Sequence, residues 1–267
     1  MEVEVIELTS SFKLYRVGFV NYYVYSGEKT VLIETGLSCT ASKLLEELDE
    51  DVDSILITHA HFDHITGLSV LLEQYPEAEV GGHAGIARLL GKEKVLKSWF
   101  KDDVEVCGES YDGEKLRIDR GLGEGDVFHG LEIYEVPGHS PDSLSVYHRG
   151  ENVLLVSDSL GYFTSSGKVI PLFFYSYDQY LSSIDRIAGF RPEIFGVGHV
   201  KYFTGRECDH AVRRAREEAV RLAEMVKSGM EDEKLLEYFI VDELKFYPKE
   251  AMKASAMLLK RRVLESD

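Results

Sequence analysis

The sequence predicts an α+β fold in which strands and then helices occur twice over, followed by a helical tail. Three observations predict it. Short apolar stretches with period-two alternation occupy residues 2–34 and return after residue 125. Stretches with helical spacing follow each group. After Gly205 the alternation stops, and amphipathic segments rich in Arg and Glu run on to residue 264. Strands and helices grouped in this way suit a layered architecture.

Taken in order, residues 2–8, 12–17, 22–26 and 30–34 read as strands. Residues 42–48 read as a helix, with Leu44, Leu45 and Leu48 on its apolar face. A strand at 55–58 follows, then a helix at 65–75, a short strand at 79–82 and a helix at 84–90. Residues 92–118 are charged and irregular, with Trp99, Phe100 and Tyr111 spaced among them. They read as a solvated insertion with a few core anchors, or as part of a lid. Strands resume at 126–128, 131–136, 143–148 and 153–157. Residues 161–180 are dense in aromatics, and a helix at 180–187 sets Leu181, Ile184 and Ile187 on one face. The tail gives helices at 208–227, 232–241 and 248–264. It is expected to pack on the rest, close over a site, or join two copies into a homo-oligomer. Residues 1–205 therefore read as one domain and 206–267 as a helical extension.

The chemistry is concentrated in Thr58-His59-Ala60-His61-Phe62-Asp63-His64. The chain has nine histidines, and three stand here beside a carboxylate. Alternation puts His59 and His61 on one side of the backbone, and Asp63 and His64 where the chain enters the helix. Neutral imidazoles and ionised carboxylates are what a divalent zinc, iron or manganese ion needs. Rigid strand ends are where further ligands belong. Three apolar runs end that way, at His139, Asp158 and His199. A glycine precedes each of the two histidines, allowing a tight turn or close backbone approach. His83, His129 and His148 fall outside this pattern.

The sequence resembles the metallo-β-lactamase superfamily. The resemblance is carried by His59-Ala60-His61-Phe62-Asp63-His64, then His139, Asp158 and His199, and by the flanks Val31-Leu32-Ile33-Glu34-Thr35-Gly36 and Val136-Pro137-Gly138-His139-Ser140-Pro141-Asp142-Ser143. It implies a four-layer αββα sandwich with the site at one edge of the two sheets. It implies that His59, His61 and His139 hold one metal, that Asp63, His64 and His199 hold a second, and that Asp158 bridges them. Zinc suits these ligands, and iron or manganese would be accommodated. Two ions sharing a water lower its pKa from ~16 to ~7. The implied reaction is hydrolysis of a small ester, thioester, lactone or phosphoester by a metal-bridging hydroxide, with Asp63 also moving the proton. The alternative is an iron-dependent oxidoreductase of the same superfamily, persulfide dioxygenase-like or flavodiiron-like. The chain is too short for a flavodoxin domain, and the dioxygenases use fewer ligands on one iron. In many relatives the stretch between the bridging Asp and the last histidine helps line the substrate mouth, which offers Tyr177 or Tyr175 as a donor to a substrate carbonyl, with core packing the role of most of these rings. Glu34 departs from the usual Asp, a change that bears on ligand orientation. Glyoxalase II relatives carry a helical C-terminal domain, but their basic glutathione contacts have no counterpart at a matching place.

Composition bounds the setting. A net charge of −17 works against a polyanionic partner, so nucleic acid is not expected and a small molecule is. No apolar run approaches the roughly 18 residues of a membrane span. Cys39, Cys107 and Cys208 are odd in number and widely spaced, so no disulfide framework is expected, and the protein reads as cytoplasmic. Asn and Gln are scarce while Glu and Lys abound, a thermophile-like bias.

Overall fold

The structure is a computed structural model and describes residues 1–108 and 116–266. Strands β1 (Val3–Glu7), β2 (Phe12–Val17), β3 (Val20–Ser26) and β4 (Thr30–Ile33) make an antiparallel meander. The chain then passes through α1 (Ser38–Leu45), β5 (Ser54–Ile57), α2 (Phe62–Ile65), α3 (Leu68–Gln74), β6 (Glu79–His83), α4 (Ile86–Leu90), α5 (Glu93–Cys107) and β7 (Arg120–Leu122). Strands β5, β6 and β7 add in parallel to β4, completing a seven-stranded sheet in sequence order.

The second half begins with β8 (Val127–Phe128), β9 (Leu131–Glu135), β10 (Leu144–His148) and β11 (Val153–Leu155). A small hairpin of β12 (Tyr162–Phe163) and β13 (Val169–Ile170), helix α6 (Tyr177–Ala188), β14 (Ile194–Gly196) and β15 (Tyr202–Thr204) follow. The six-stranded second sheet has the order β15-β14-β11-β10-β9-β8, with β14 parallel to β11 and the other pairs antiparallel. Helices α7 (Arg206–Lys227), α8 (Asp232–Phe239) and α9 (Lys249–Leu264) close the chain, with a 3₁₀ turn at Asp242–Phe246 between the last two.

Alternation along the strands builds the layers. Val31, Ile33 and Leu56 face the second sheet, where Leu144, Val146, Val153 and Leu155 meet them. Leu32, Ile55 and Ile57 face outward onto α1 and α3 through Ala41, Leu44, Leu68 and Leu71. Leu154 and Phe195 face the opposite way, onto α6 through α9. The result is the four-layer αββα sandwich, since each sheet has two apolar faces and each needs a cover. Burying one such Leu or Ile contributes about 1.5–3 kcal/mol. The tail helices share one core with the second sheet: Ala215, Leu222, Leu235, Ala256 and Leu259 pack in the same cluster as Val156 and Ile184.

Two expectations are corrected. Residues 93–107 are not irregular but the helix α5, although Asp103 is the one buried residue in it. Tyr111 lies outside the described residues. Cys39 and Cys107 are joined in a disulfide, their Cα atoms 5.5 Å apart. Their separation of 68 residues hides the pairing in the sequence, because only packing of α5 across α1 brings them together. Cys208 remains a free, buried thiol.

Candidate metal centre

The seven expected side chains converge at one edge of the sandwich. His59 and His61 follow β5, while Asp63 and His64 lie on α2. His139 follows β9, Asp158 follows β11 and His199 follows β14. The edge is stitched across the two sheets: the Leu144 amide donates to the Thr58 carbonyl, and the Asn21 amide to that of Gly198. Asn21 Nδ2 also donates to the carbonyls of Val197 and Lys201, at 3.0 and 2.8 Å. Ligand atoms of His59, His61 and His139 lie within 4.8 Å of one another, and so do those of Asp63, His64 and His199. Asp158 touches both groups, with Oδ2 3.7 Å from His139 Nε2 and 3.6 Å from His64 Nε2, and Oδ1 3.3 Å from His199 Nε2. All but His61 are buried, and His61 faces a cavity.

The turns that deliver these groups demand their residues. Gly138 has φ +132°, and a Cβ there would run into the backbone of Tyr180. At Gly198 a Cβ would strike Asp158 Oδ1 and crowd His64. Three non-glycine residues beside the cluster also hold left-handed backbone: Glu34 (φ 78°), Ser157 (φ 47°) and Val200 (φ 55°). Such strain collects where a fold over-determines a working geometry.

A surrounding layer of hydrogen bonds fixes how each ring points. Glu34 accepts from His64 Nδ1 at 3.0 Å and from the Thr58 hydroxyl at 2.6 Å. That leaves Thr58 Oγ1 to accept from His59 Nδ1 at 3.1 Å. His139 Nδ1 donates to the Leu172 carbonyl at 2.7 Å, and His199 Nδ1 to that of Phe19 at 3.3 Å. Asp142 accepts from the Ala60 amide at 3.0 Å and steadies the backbone between His59 and His61.

With these Nδ1 atoms engaged, the Nε2 atoms face each other in pairs. His59 Nε2 stands 3.1 Å from His139 Nε2, and His64 Nε2 stands 3.1 Å from His199 Nε2. Asp158 Oδ1 is buried without a hydrogen-bond partner. Burial and then neighbouring imidazoles hold His59 well below the usual histidine range, and His139 is pushed down to about 3 by burial and His61. Both are neutral, which is the ligating form. At His64, burial opposes charge, yet Glu34, Asp63 and Asp158 outweigh it and raise its pKa well above the ordinary value. Burial likewise disfavours charge on Asp158, but His199 and His64 hold it well below the carboxylate range. The cluster thus asks for positive charge among converging lone pairs, and divalent cations fit that demand.

Two tyrosines complete the site, and neither stood out in the sequence. Tyr247, just past the 3₁₀ turn, donates its hydroxyl to Asp63 Oδ2 at 2.7 Å. Tyr162, on β12, stacks on His199 with ring centroids 4.7 Å apart, and its buried hydroxyl has no partner. Burial and nearby carboxylates push both phenols up, so both remain donors. Tyr177 is not among the residues lining the cavity. It opens α6, and its ring packs on Phe173 at 5.0 Å, turned into the core shared with the tail helices. His83, His129 and His148 lie beside partners of their own, Glu135, Glu79 and Tyr25.

The cavity in front of the cluster has a volume of about 300 Å³. Trp99 and Asp102 of α5 line one side, and Leu244, Tyr247, Ala251 and Met252 of the tail line another. Both the segment after residue 92 and the C-terminal helices therefore cover the site.

Fold and site together define a class: an αββα sandwich carrying a histidine–aspartate cluster at the edge of its sheets. The chain belongs to the metallo-beta-lactamase superfamily, whose family model matches residues 15–199. It is similar to a probable metallo-hydrolase of Methanocaldococcus jannaschii, 33% identical over 52% of this chain and 66% of that protein. A hydroxyacylglutathione hydrolase of Prochlorococcus marinus is 30% identical over 60% of this chain and 55% of its own length. The chain thus spans just over half to about two thirds of those two curated relatives. The solved structure of an archaeal superfamily protein from Sulfolobus tokodaii covers 92% of this chain and 93% of its own, with a TM-score of 0.61 and 24% identity, a likeness of fold.

Proposed function

We propose that this chain is a dinuclear metal-dependent hydrolase acting on a small ester, thioester, lactone or phosphoester. The observation that supports it is the pair of three-residue groups whose ligand atoms lie within 4.8 Å, with Asp158 in reach of both. His59, His61 and His139 would hold one ion, Asp63, His64 and His199 the other, and Asp158 would bridge, with zinc the metal these donors suit. When bound, such ions supply a Lewis acid and acidify a coordinated water to a pKa of ~7.

The chain's own residues do the rest. Glu34, Thr58 and the Leu172 and Phe19 carbonyls engage the Nδ1 atoms of four rings, so their Nε2 atoms are turned to the cluster before any ligand arrives. Tyr247 occupies one lone pair of Asp63 and fixes its carboxylate. The remaining basicity of Asp63 can take a proton from the attacking water and return it to the leaving group. The Tyr162 hydroxyl, protonated and unpaired, is available to a substrate carbonyl. Phe62, Trp99 and Phe174 wall the cavity and strengthen these interactions by keeping water out.

The test is metal analysis of the purified protein alongside a panel of thioesters, lactones and phosphodiesters. His61→Ala is expected to lower bound metal and cut turnover about a thousandfold or more. Full activity with unchanged metal in that variant rejects the assignment.

A further inference from the structure

We propose that the substrate is an uncharged acyl compound, an ester, thioester or lactone with an apolar acyl chain, and that the site disfavours substrates carrying a remote anion. The inference rests on the hydrolase reading and narrows it. Beyond the cluster, the cavity wall is mostly apolar: Phe62, Trp99, Phe174, Phe239, Leu244 and Met252. Among the described residues that line it, none is a lysine or arginine. Among the described lining residues outside the cluster, the one charged side chain is Asp102, whose carboxyl is raised by burial against the opposing pull of Lys101, the mark of a carboxylate short of water. Arg262 is not among the lining residues: its Nε donates to the Phe174 carbonyl at 3.1 Å, and Glu265 holds its guanidinium at 2.9 Å.

A substrate carboxylate or phosphate remote from the scissile bond would leave water for this wall and find no lysine or arginine among the described lining residues to replace it. It would also meet Asp102 and the field of a chain with net charge −17. An apolar chain gains instead, by about fourfold in affinity per buried methylene. At about 300 Å³ the cavity is at the low end of the ligand-pocket range, so the acyl group is short.

The experiment compares methyl hexanoate with monomethyl adipate, which has the same chain ending in a carboxylate, and the matching S-ethyl thioesters, on the metal-loaded protein. Two readouts run together: kcat/KM, and the fluorescence of Trp99, the sole tryptophan and part of the cavity wall. The neutral member of each pair is expected to be favoured about thirtyfold in kcat/KM and to shift Trp99 emission at lower concentration. In Asp102→Lys the preference should move toward the carboxylate by about tenfold. Hydrolysis of both members at equal kcat/KM overturns the inference and leaves the hydrolase reading standing. A Trp99 response selective for the neutral esters without turnover of any substrate does the reverse, keeping the charge selection and removing the hydrolase.

Discussion

At the scale of single residues, Tyr247 offers a way to test Asp63 apart from the packing around it. Its ring is seated by Phe19 and Phe62, at 5.3 and 5.9 Å, so Tyr247→Phe keeps the packing and loses only the bond to Asp63. Steady-state kinetics should show kcat down by about ten- to a hundredfold, with the melting temperature little changed. Ser157 carries a left-handed φ and a buried hydroxyl without a partner. Ser157→Gly relieves both, and a thermal melt should rise by about 2–4 °C, roughly 1 kcal/mol, while Asp158 loses some of its fixed aim and metal binding weakens. The seven cluster residues were legible in the sequence because metal chemistry is written in residue type and each group ends a strand. Tyr247 was not, because a Tyr between Phe246 and Pro248 carries no local sign of what it will face. The expectation for Tyr177 failed for a related reason. In the stretch 161–180 every ring is a candidate, and only the packed chain decides that Tyr162 meets the cluster while Tyr177 meets Phe173.

Among the elements, α5 is the one the sequence concealed. Its apolar positions, Val95, Leu96, Trp99, Phe100, Val106 and Cys107, do keep helical spacing, but a carboxylate, Asp103, sits in the middle of that face and lysines and acids fill the rest. Asp103 is fully buried and accepts from the Ser38 amide at 3.0 Å, from the Ser38 hydroxyl, and from the Thr66 hydroxyl at 2.6 Å. That polar anchor and the Cys39–Cys107 crosslink hold α5 against α1 and α2, and so hold Trp99 at the cavity. Closing a loop of this length restricts the unfolded chain, so Cys107→Ser should lose about 2–4 kcal/mol. Thermal melts with and without a thiol reductant check it: reductant should bring the parent protein down to the variant and leave the variant unmoved. Strands β1 to β6 and β8 to β11 were legible from their short apolar runs, whereas β7, β12, β13 and β15, two or three residues each, are too short to leave a pattern. The boundaries moved where caps are unconventional: α1 starts at Ser38, ahead of the apolar spacing that begins at Leu44.

For the whole molecule, the boundary near residue 205 divides the sequence but not the core. Leu154, Phe195, Leu222, Leu235 and Leu259 belong to one apolar cluster, so α6 covers only part of the second sheet's outer face and the tail covers the rest. A chain cut after Gly205 should expose that face and aggregate, as size-exclusion chromatography would show; a soluble, cooperatively melting fragment would refute the shared core. No helix among the described residues is long and apolar enough to cross a membrane. One consequence concerns the order of events during synthesis. The last of the seven cluster residues, His199, leaves the ribosome before Tyr247 and before α8 and α9, so the cluster can form as an open trough that the tail later shuts. On the proposed metal site, the expected outcome is that a chelator strips the finished protein slowly, with the final helices acting as the latch, and the time course of metal loss to a chelator checks it.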